Sequence, residues 1–172
     1  MKTIKVILVI ITAVILVFLL TGLFVKDTNY SAQVSIKKPI SEVFKTFNQP
    51  GNVQKWIPEI ISIDTLNLNP GFTGSEFKMV VENQGQEITM TEKVMAYIPN
   101  EKVTLFFDAE NMLKKDDYLF TEKDGITTIT LNASCQSDSY IMACIFPYFK
   151  STFKEQDQTY LDSFKNYIEK EE

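Results

Sequence analysis

Two absent residue types restrict the chemistry that this 172-residue chain can perform. The sequence contains no His, and all 17 basic residues are Lys because Arg is absent. Without His, a His general base, a Ser–His or Cys–His nucleophile pair and a His-ligated metal site are excluded. Without Arg, the planar fork that binds carboxylates and phosphates through two hydrogen bonds is excluded too. Acid–base chemistry would therefore depend on other titratable groups, such as carboxyl groups and Tyr.

Glu92 is the acidic residue whose position best suits binding or catalysis. It alternates with Ile88, Met90 and Val94, and this pattern predicts that all four lie on the inner face of one strand. A carboxyl group in an apolar pocket has a raised pKa, and it can act as an acid or bind a ligand's hydroxyl or amine. The alternatives are an ion pair with Lys at the open end of the sheet, or a bulge that turns Glu92 outward.

The other candidates are large side chains that either line a pocket or fill a core. Tyr118 and Tyr160 also offer hydroxyl groups to the polar end of a ligand, and the flexible Met side chains suit an adaptable wall. The candidate ligand-binding residues are Phe44, Trp56, Phe77, Met79, Met90, Glu92, Phe107, Tyr118, Phe120, Phe149, Phe153 and Tyr160. Asp116 and Asp117 are adjacent on a strand and point to opposite faces, so this pair is not a two-carboxylate site.

No residue is assigned a catalytic role, and no cofactor or metal is expected. Cys135 and Cys144 are too few for a metal site, and we expect two small buried side chains rather than a disulfide. The formal net charge is −5, which argues against nucleic-acid binding. An acidic surface is also repelled by anionic lipid, so only a separate anchor is expected to hold the chain at a membrane.

Residues 6–25 form an uncharged run of 20 residues. As a helix the run spans about 30 Å, the thickness of a bilayer core. It is longer than the roughly 7–15-residue core of a signal peptide, and no good cleavage site follows, so we interpret it as an uncleaved anchor. A cleaved signal peptide is the alternative. Lys2 and Lys5 before the run favour a cytoplasmic N-terminus and an extracytoplasmic domain.

The expected organisation is a cytoplasmic N-terminus (1–5), a transmembrane helix (6–25), a linker (26–29) and a single domain (30–172). Two periodicities describe that domain. Alternation predicts a first strand over 30–37, and helical spacing predicts two short helices over 40–47 and 53–57, separated by Pro50 and Gly51.

Six further strands and one long helix complete the domain. The strands follow from alternating stretches between 60 and 135, separated by turn signals such as those at 69–71, 83–85 and 123–125. The expected apolar stripe of the final helix consists of Phe149, Phe153, Tyr160, Phe164 and Ile168. Asp157 is expected to lie off this stripe or at its edge. Strands with segregated helices indicate an α+β fold. A long antiparallel meander must curl, so a sheet of about seven strands would wrap the long helix and enclose a filled core or a ligand cavity.

A series of short motifs resembles the SRPBCC superfamily, which includes START domains, Bet v 1-like proteins and polyketide cyclase/dehydrase-like proteins. The motifs are the strand–Pro–helix segment at 34–44, Trp56-Ile57-Pro58, the strand ending in Pro99, the strand at 125–133 and the final helix. Together they cover nearly all of 30–172. The resemblance implies a helix-grip fold with an apolar cavity for lipids, sterols, polyketides or similar ligands, and catalytic residues are not shared across the superfamily.

The expected function is therefore a membrane-anchored domain that binds a lipid or another apolar small molecule between the sheet and the last helix. One alternative is a cyclase- or dehydratase-like enzyme that uses Glu92 and a Tyr. The other alternative is a domain that binds a protein partner and fills its cavity with its own aromatic side chains.

Overall fold

The computed structural model describes residues 2–49, 51–83 and 85–170. Pro50 and Gln84, which belong to two of the expected chain breaks, lie outside the described residues, as do Met1 and the last two residues. The helices are α1 (Lys2–Phe24), α2 (Ile40–Phe47), α3 (Val53–Trp56), α4 (Tyr140–Ile145) and α5 (Lys150–Lys170), with a 3₁₀ turn at Phe146–Phe149. The strands are β1 (Thr28–Ile36), β2 (Ile60–Asn67), β3 (Glu76–Asn83), β4 (Gln86–Ile98), β5 (Lys102–Ala109), β6 (Met112–Lys123) and β7 (Ile126–Gln136).

The seven strands form one antiparallel sheet in the order β1-β7-β6-β5-β4-β3-β2. Strands β2 to β7 are a continuous meander, and β1 closes the sheet by pairing with β7. The sheet curls, and the long helix α5 packs against β1, α2 and α3. The α+β helix-grip fold expected from the sequence is therefore confirmed.

The filled part of the core lies beneath β1 and β7. On β1 every second residue from Thr28 to Ile36 is buried, because the strand alternates strictly between core and solvent. Phe164 of α5 is completely buried, and its ring lies 5.2 Å from the rings of both Phe47 and Trp56. These edge-on aromatic contacts join α2, α3 and α5 into one packed layer.

A β-bulge in β4 changes which residues face the core. The pairing with β5 shifts between Val94 and Ala96, which leaves Met95 as an extra, 51% exposed residue. Tyr97 consequently returns to the inner face, where its ring lies 5.3 Å from that of Phe44. The bulge follows Val94, so it does not turn Glu92 outward.

The inner stripe of α5 differs from the expected one. Asp157 was expected off the stripe or at its edge, but it is buried, and Leu161 is buried as well. Phe149 precedes α5 in the 3₁₀ turn and is 50% exposed, because the turn changes the helical phase before the stripe begins. Cys135 and Cys144 are both buried and unpaired, as expected.

Within the described residues, α1 is the one helix that is long and apolar enough to cross a membrane. None of its residues is buried in the protein. The helix ends at Phe24, and β1 begins at Thr28. The domain therefore starts almost immediately after the apolar segment.

Candidate functional site

Burial is uneven across the concave face of the sheet. All inner residues of β1 and β7 are buried. On β3, β4 and β5 most inner residues are only half-buried, namely Phe77, Val81, Ile88, Met90, Glu92, Leu105 and Phe107. Because α5 packs along the β1 side, the inner face of β3–β5 is left as an open groove, which we call the concave cleft. Two surface depressions, of about 570 and 540 Å³, lie elsewhere on the molecule.

The candidate residues separate into four groups. Phe77, Met90, Glu92, Phe107 and Tyr118 are half-buried on the inner face, and Met79 is buried on the same face. Phe44, Trp56 and Phe120 belong to the filled core. Phe153 and Tyr160 are half-buried on α5, beside that core. Phe149 lies apart from the others, against α1.

A buried ionic network lies at the end of the cleft nearest α1. The ammonium nitrogen of Lys114, on β6, lies 2.8 Å from Asp116 Oδ2 and 2.9 and 2.8 Å from the two carboxyl oxygens of Asp157, on α5. The hydroxyl of Tyr30 donates a 2.8 Å hydrogen bond to Asp157 Oδ2. Burial alone lowers the pKa of Lys114, but the two carboxyl groups outweigh it and raise that pKa. Lys114 is therefore held as a cation between the sheet and the helix.

Asp116 is the least satisfied member of the network. Its residue is 2% exposed, and within the described structure its Oδ1 atom has no hydrogen-bond partner. Burial raises the pKa of this carboxyl to about 6, although Lys114 opposes the shift. An unpaired buried acceptor destabilises a protein by about 1–3 kcal/mol. The network therefore has spare capacity to accept a hydrogen bond.

Glu92 faces the same region from β4. The residue opposite it on β5 is Phe107, which in turn is opposite Lys114 on β6, so Glu92 and Lys114 lie two strands apart on one face. Burial raises the pKa of Glu92 to about 7, and the charge of Asp116 adds to the shift. Glu92 nevertheless remains half-buried by surface area. A side chain that has protein on most sides but still reaches solvent lies at the wall of a cleft. Glu92 therefore borders the concave cleft.

Within the described part of the chain Glu92 forms no ion pair, so the alternative in which it pairs with Lys is not seen there. The tyrosines nearby stay protonated, because burial and then carboxyl charges raise the pKa of both Tyr30 and Tyr118. They can therefore act as hydrogen-bond donors. No three acidic or Cys side chains among the described residues come together in a geometry that could hold a metal ion.

Four members of the network were not among the candidates, namely Tyr30, Lys114, Asp116 and Asp157. A signal for two of them was present in β6, where Tyr118 and Phe120 define the inner face. The alternation extended backward places Asp116 and Lys114 on that face as well. No sequence signal shows that Asp157 meets Lys114, because the two residues lie on different elements, 43 positions apart.

The comparisons with known proteins agree with this architecture. No curated protein matches the sequence. The structure is similar to the Zhui aromatase/cyclase from Streptomyces sp. R1128, with a TM-score of 0.69, 11% identity and coverage of 83% of this chain and 94% of that one. It is similar to a conserved protein from Geobacillus kaustophilus, with a TM-score of 0.68, 15% identity and coverage of 83% and 95%.

Ara h 8.0201 is another similar structure, with a TM-score of 0.65, 14% identity and coverage of 83% of this chain and 97% of that one. Identities this low show a shared fold and nothing further. The sequence itself gives a family match, since residues 37–169 fit the model described as Activator of Hsp90 ATPase homolog 1-like protein. That match covers most of the chain and nearly all of the helix-grip domain, and the chain therefore belongs to this SRPBCC-type family.

Proposed function

We propose that this chain is a membrane-anchored binding protein for an apolar small molecule, a lipid or a compound of similar character, held in the concave cleft. The observation that carries the proposal is the half-buried inner face of β3–β5. Phe77, Met90 and Phe107 are large apolar side chains that face the inside of the fold and remain accessible. A ligand that covers them gains about 25 cal/mol for each Å² of apolar surface removed from water.

A carboxyl group beside the ionic network gives the ligand a preferred orientation. Glu92 is half-buried and lies on the same face of the sheet as Lys114. Its carboxylate accepts hydrogen bonds when ionised, so a ligand with a hydroxyl or amine at its polar end suits this end of the cleft. One or two such polar contacts in an otherwise apolar site are typical of small-molecule pockets.

The helix α1 supplies the anchor in this proposal. Its length and composition suit a bilayer, and Lys2 and Lys5 favour a cytoplasmic N-terminus with the domain outside. With only three residues between α1 and β1, the anchor would hold the cleft close to the lipid surface. A cleft for an apolar ligand would benefit from this location, because the bilayer is a reservoir of apolar molecules.

An enzyme is the second candidate, and the pKa of Glu92 favours it. A carboxyl group that titrates near pH 7 is suited to general acid or base catalysis, because both protonation states are populated. One similar structure is named an aromatase/cyclase. In that function Glu92 would exchange a proton with the ligand, and the protonated Tyr118 would donate a hydrogen bond to the same ligand.

Solvent extraction of the purified full-length protein, followed by mass spectrometry, tests the binding proposal. The control is a peptide of residues 1–25 purified from the same membranes. This peptide binds bilayer lipid but has no cleft. We expect at least one compound to be enriched with the full-length chain relative to this peptide. Identical compounds in identical proportions would contradict the proposal and favour a protein-binding domain.

A further inference from the structure

We infer that residues 140–149, hereafter the α4 segment, form a second membrane-embedded element that docks on α1 and enters the adjoining lipid leaflet. The α4 segment consists of α4 and the 3₁₀ turn that follows it. The inference rests on the proposed role of α1 as a membrane anchor. It goes beyond that role because it places part of the folded domain inside the bilayer.

Specific contacts join the α4 segment to the C-terminal part of α1, the part nearest the folded domain. The hydroxyl of Tyr140 donates a hydrogen bond to the backbone carbonyl of Leu19. The hydroxyl of Tyr148 lies 2.8 Å from Thr21 Oγ1, and its ring stacks on that of Phe18 at 6.2 Å. The two elements therefore form a defined helix–helix interface.

Gly22 makes the closest approach in this interface possible. A Cβ atom at that position would overlap the sulfur of Cys144, which is fully buried there. Small residues that let two helices approach closely are characteristic of helix pairs in membranes. Glycine at position 22 is therefore explained by packing against α4. A helix that served only as a tether or as a cleaved signal peptide would not require this close packing.

The depth of the contact follows from the geometry of α1. Phe18 lies seven residues before Val25, the end of the uncharged run. At 1.5 Å per residue that is about 10 Å below the end of the apolar span, well inside a leaflet of a bilayer core about 30 Å thick. If α1 crosses the membrane, the residues that touch Phe18 and Thr21 are at hydrocarbon depth as well.

The α4 segment has the composition that this depth requires. It contains no charged residue, and Asp138 and Lys150 flank it on either side. Four large side chains of the segment are exposed in the protein alone: Tyr140 (50%), Ile141 (62%), Tyr148 (57%) and Phe149 (50%). So many exposed large apolar and aromatic side chains within ten uncharged residues are unusual on a soluble surface and indicate an interaction site.

A surface depression lies between the α4 segment and α1. It has a volume of about 570 Å³, and only apolar and aromatic residues line it: Ala13, Val14, Val17, Phe18, Ile145, Tyr148 and Phe149. Since both walls would lie in the leaflet, lipid acyl chains are the occupant that fits. The lipid would cover side chains that the protein leaves exposed.

Aromatic contacts connect the α4 segment to the polar end of the concave cleft. Phe146, at the start of the 3₁₀ turn, packs edge-on against Phe153 of α5 at 5.4 Å, and Phe153 stacks on Tyr30 at 6.4 Å. Tyr30 belongs to the ionic network. One layer of aromatic side chains therefore separates the embedded segment from the polar end of the concave cleft.

Photolabelling from the lipid phase tests this inference on the unmodified full-length chain. The protein is placed in phosphatidylcholine vesicles that contain a phospholipid with a carbene-generating diazirine in its acyl chain. After irradiation, mass spectrometry maps the labelled residues. We expect labels on α1 and on residues 140–149, and none on Ile126, an exposed apolar residue at the opposite end of the sheet.

Labels on α1 alone would overturn the inference and leave the anchor intact. An absence of label from α1 as well would instead show that the proposed anchoring fails. Gly22→Leu gives a second measurement, because it forces α4 away from α1. This variant should lose label from residues 140–149 while α1 stays labelled, whereas Leu23→Ala, on an exposed position of the same helix, should keep both. Equal labelling of residues 140–149 in the parent and in Gly22→Leu would contradict docking on α1.

Discussion

The ammonium nitrogen of Lys114 lies 2.8 Å from Asp157 Oδ2, and this contact joins the middle of the sheet to the C-terminal helix. The same nitrogen lies 2.8 Å from Asp116 Oδ2. One cation therefore forms ion pairs with two carboxyl groups at the end of the concave cleft. A third carboxyl, that of Glu92, lies two strands away on the same face. We therefore expect this arrangement to affect both the stability of the fold and the polarity of the site.

Loss of Lys114 should be costly. Lys114→Met leaves Asp116 and Asp157 buried without a cation, and breaking a buried ion pair in this way costs about 3–5 kcal/mol. Lys115→Met, one residue along on the exposed face of β6, should stay within about 0.5 kcal/mol of the parent. Urea unfolding of the full-length parent and of both variants, in detergent micelles at pH 8, measures these changes in the free energy of unfolding. Similar losses in the two variants would show that the network contributes no more than surface charge.

The pH dependence of stability should reveal the buried state of Glu92. Its pKa is raised from 4.5 to about 7 in the folded protein. Its contribution to stability is therefore fully present below pH 4.5 and is lost as the pH rises through 7. Glu92→Gln removes this titration, so its free energy of unfolding relative to the parent should improve by about 2–3 kcal/mol between pH 5 and pH 8. A pH-independent difference between the two chains would mean that Glu92 is solvated like a surface residue.

The same substitution separates a binder from an enzyme. In a passive binder, Glu92→Gln keeps the shape and much of the hydrogen bonding, so affinity for a neutral apolar ligand should change by no more than about tenfold. In an enzyme that uses Glu92 as acid or base, turnover should fall by about a hundredfold or more while affinity is largely kept. We expect the first result. A reproducible turnover that Glu92→Gln abolishes would establish the second.

Membrane attachment should be integral and oriented. The full-length protein should stay in the membrane pellet after carbonate and high-salt washing, because about 20 apolar residues anchor a chain through the hydrocarbon core. Protease added outside intact spheroplasts should digest the domain. Release by carbonate would show that α1 does not span the bilayer. Digestion only after lysis would place the domain in the cytoplasm.

The general fold was predictable from the sequence because strand alternation and helical spacing are local patterns. β1 and β7, whose inner residues are all buried, follow their patterns without interruption. Local patterns did not show the bulge at Met95, because an extra residue is recognised only when the partner strand is known. They also did not show that Phe149 belongs to a separate turn beside α1.

The candidate site was predictable only as far as alternation along a single strand places its residues. Met90, Glu92 and Phe107 could be placed on an inner face in this way, and alternation in β6 does the same for Lys114. The contact between Lys114 and Asp157 could not be predicted, because it forms through the packing of α5 on the sheet. Charged residues in a strand are usually read as solvent-facing, since a buried charge is stable only when a partner from elsewhere in the fold compensates it.

Native mass spectrometry of the full-length protein, released from detergent micelles, tests the central claim most directly. Met90→Trp enlarges a side chain inside the concave cleft, and Thr89→Trp makes the same kind of change on the exposed face of the same strand. The parent and Thr89→Trp should each carry one bound small molecule per chain, and Met90→Trp should lose it. A parent chain without a bound molecule, or a bound molecule that Met90→Trp retains in full, would contradict ligand binding in the cleft.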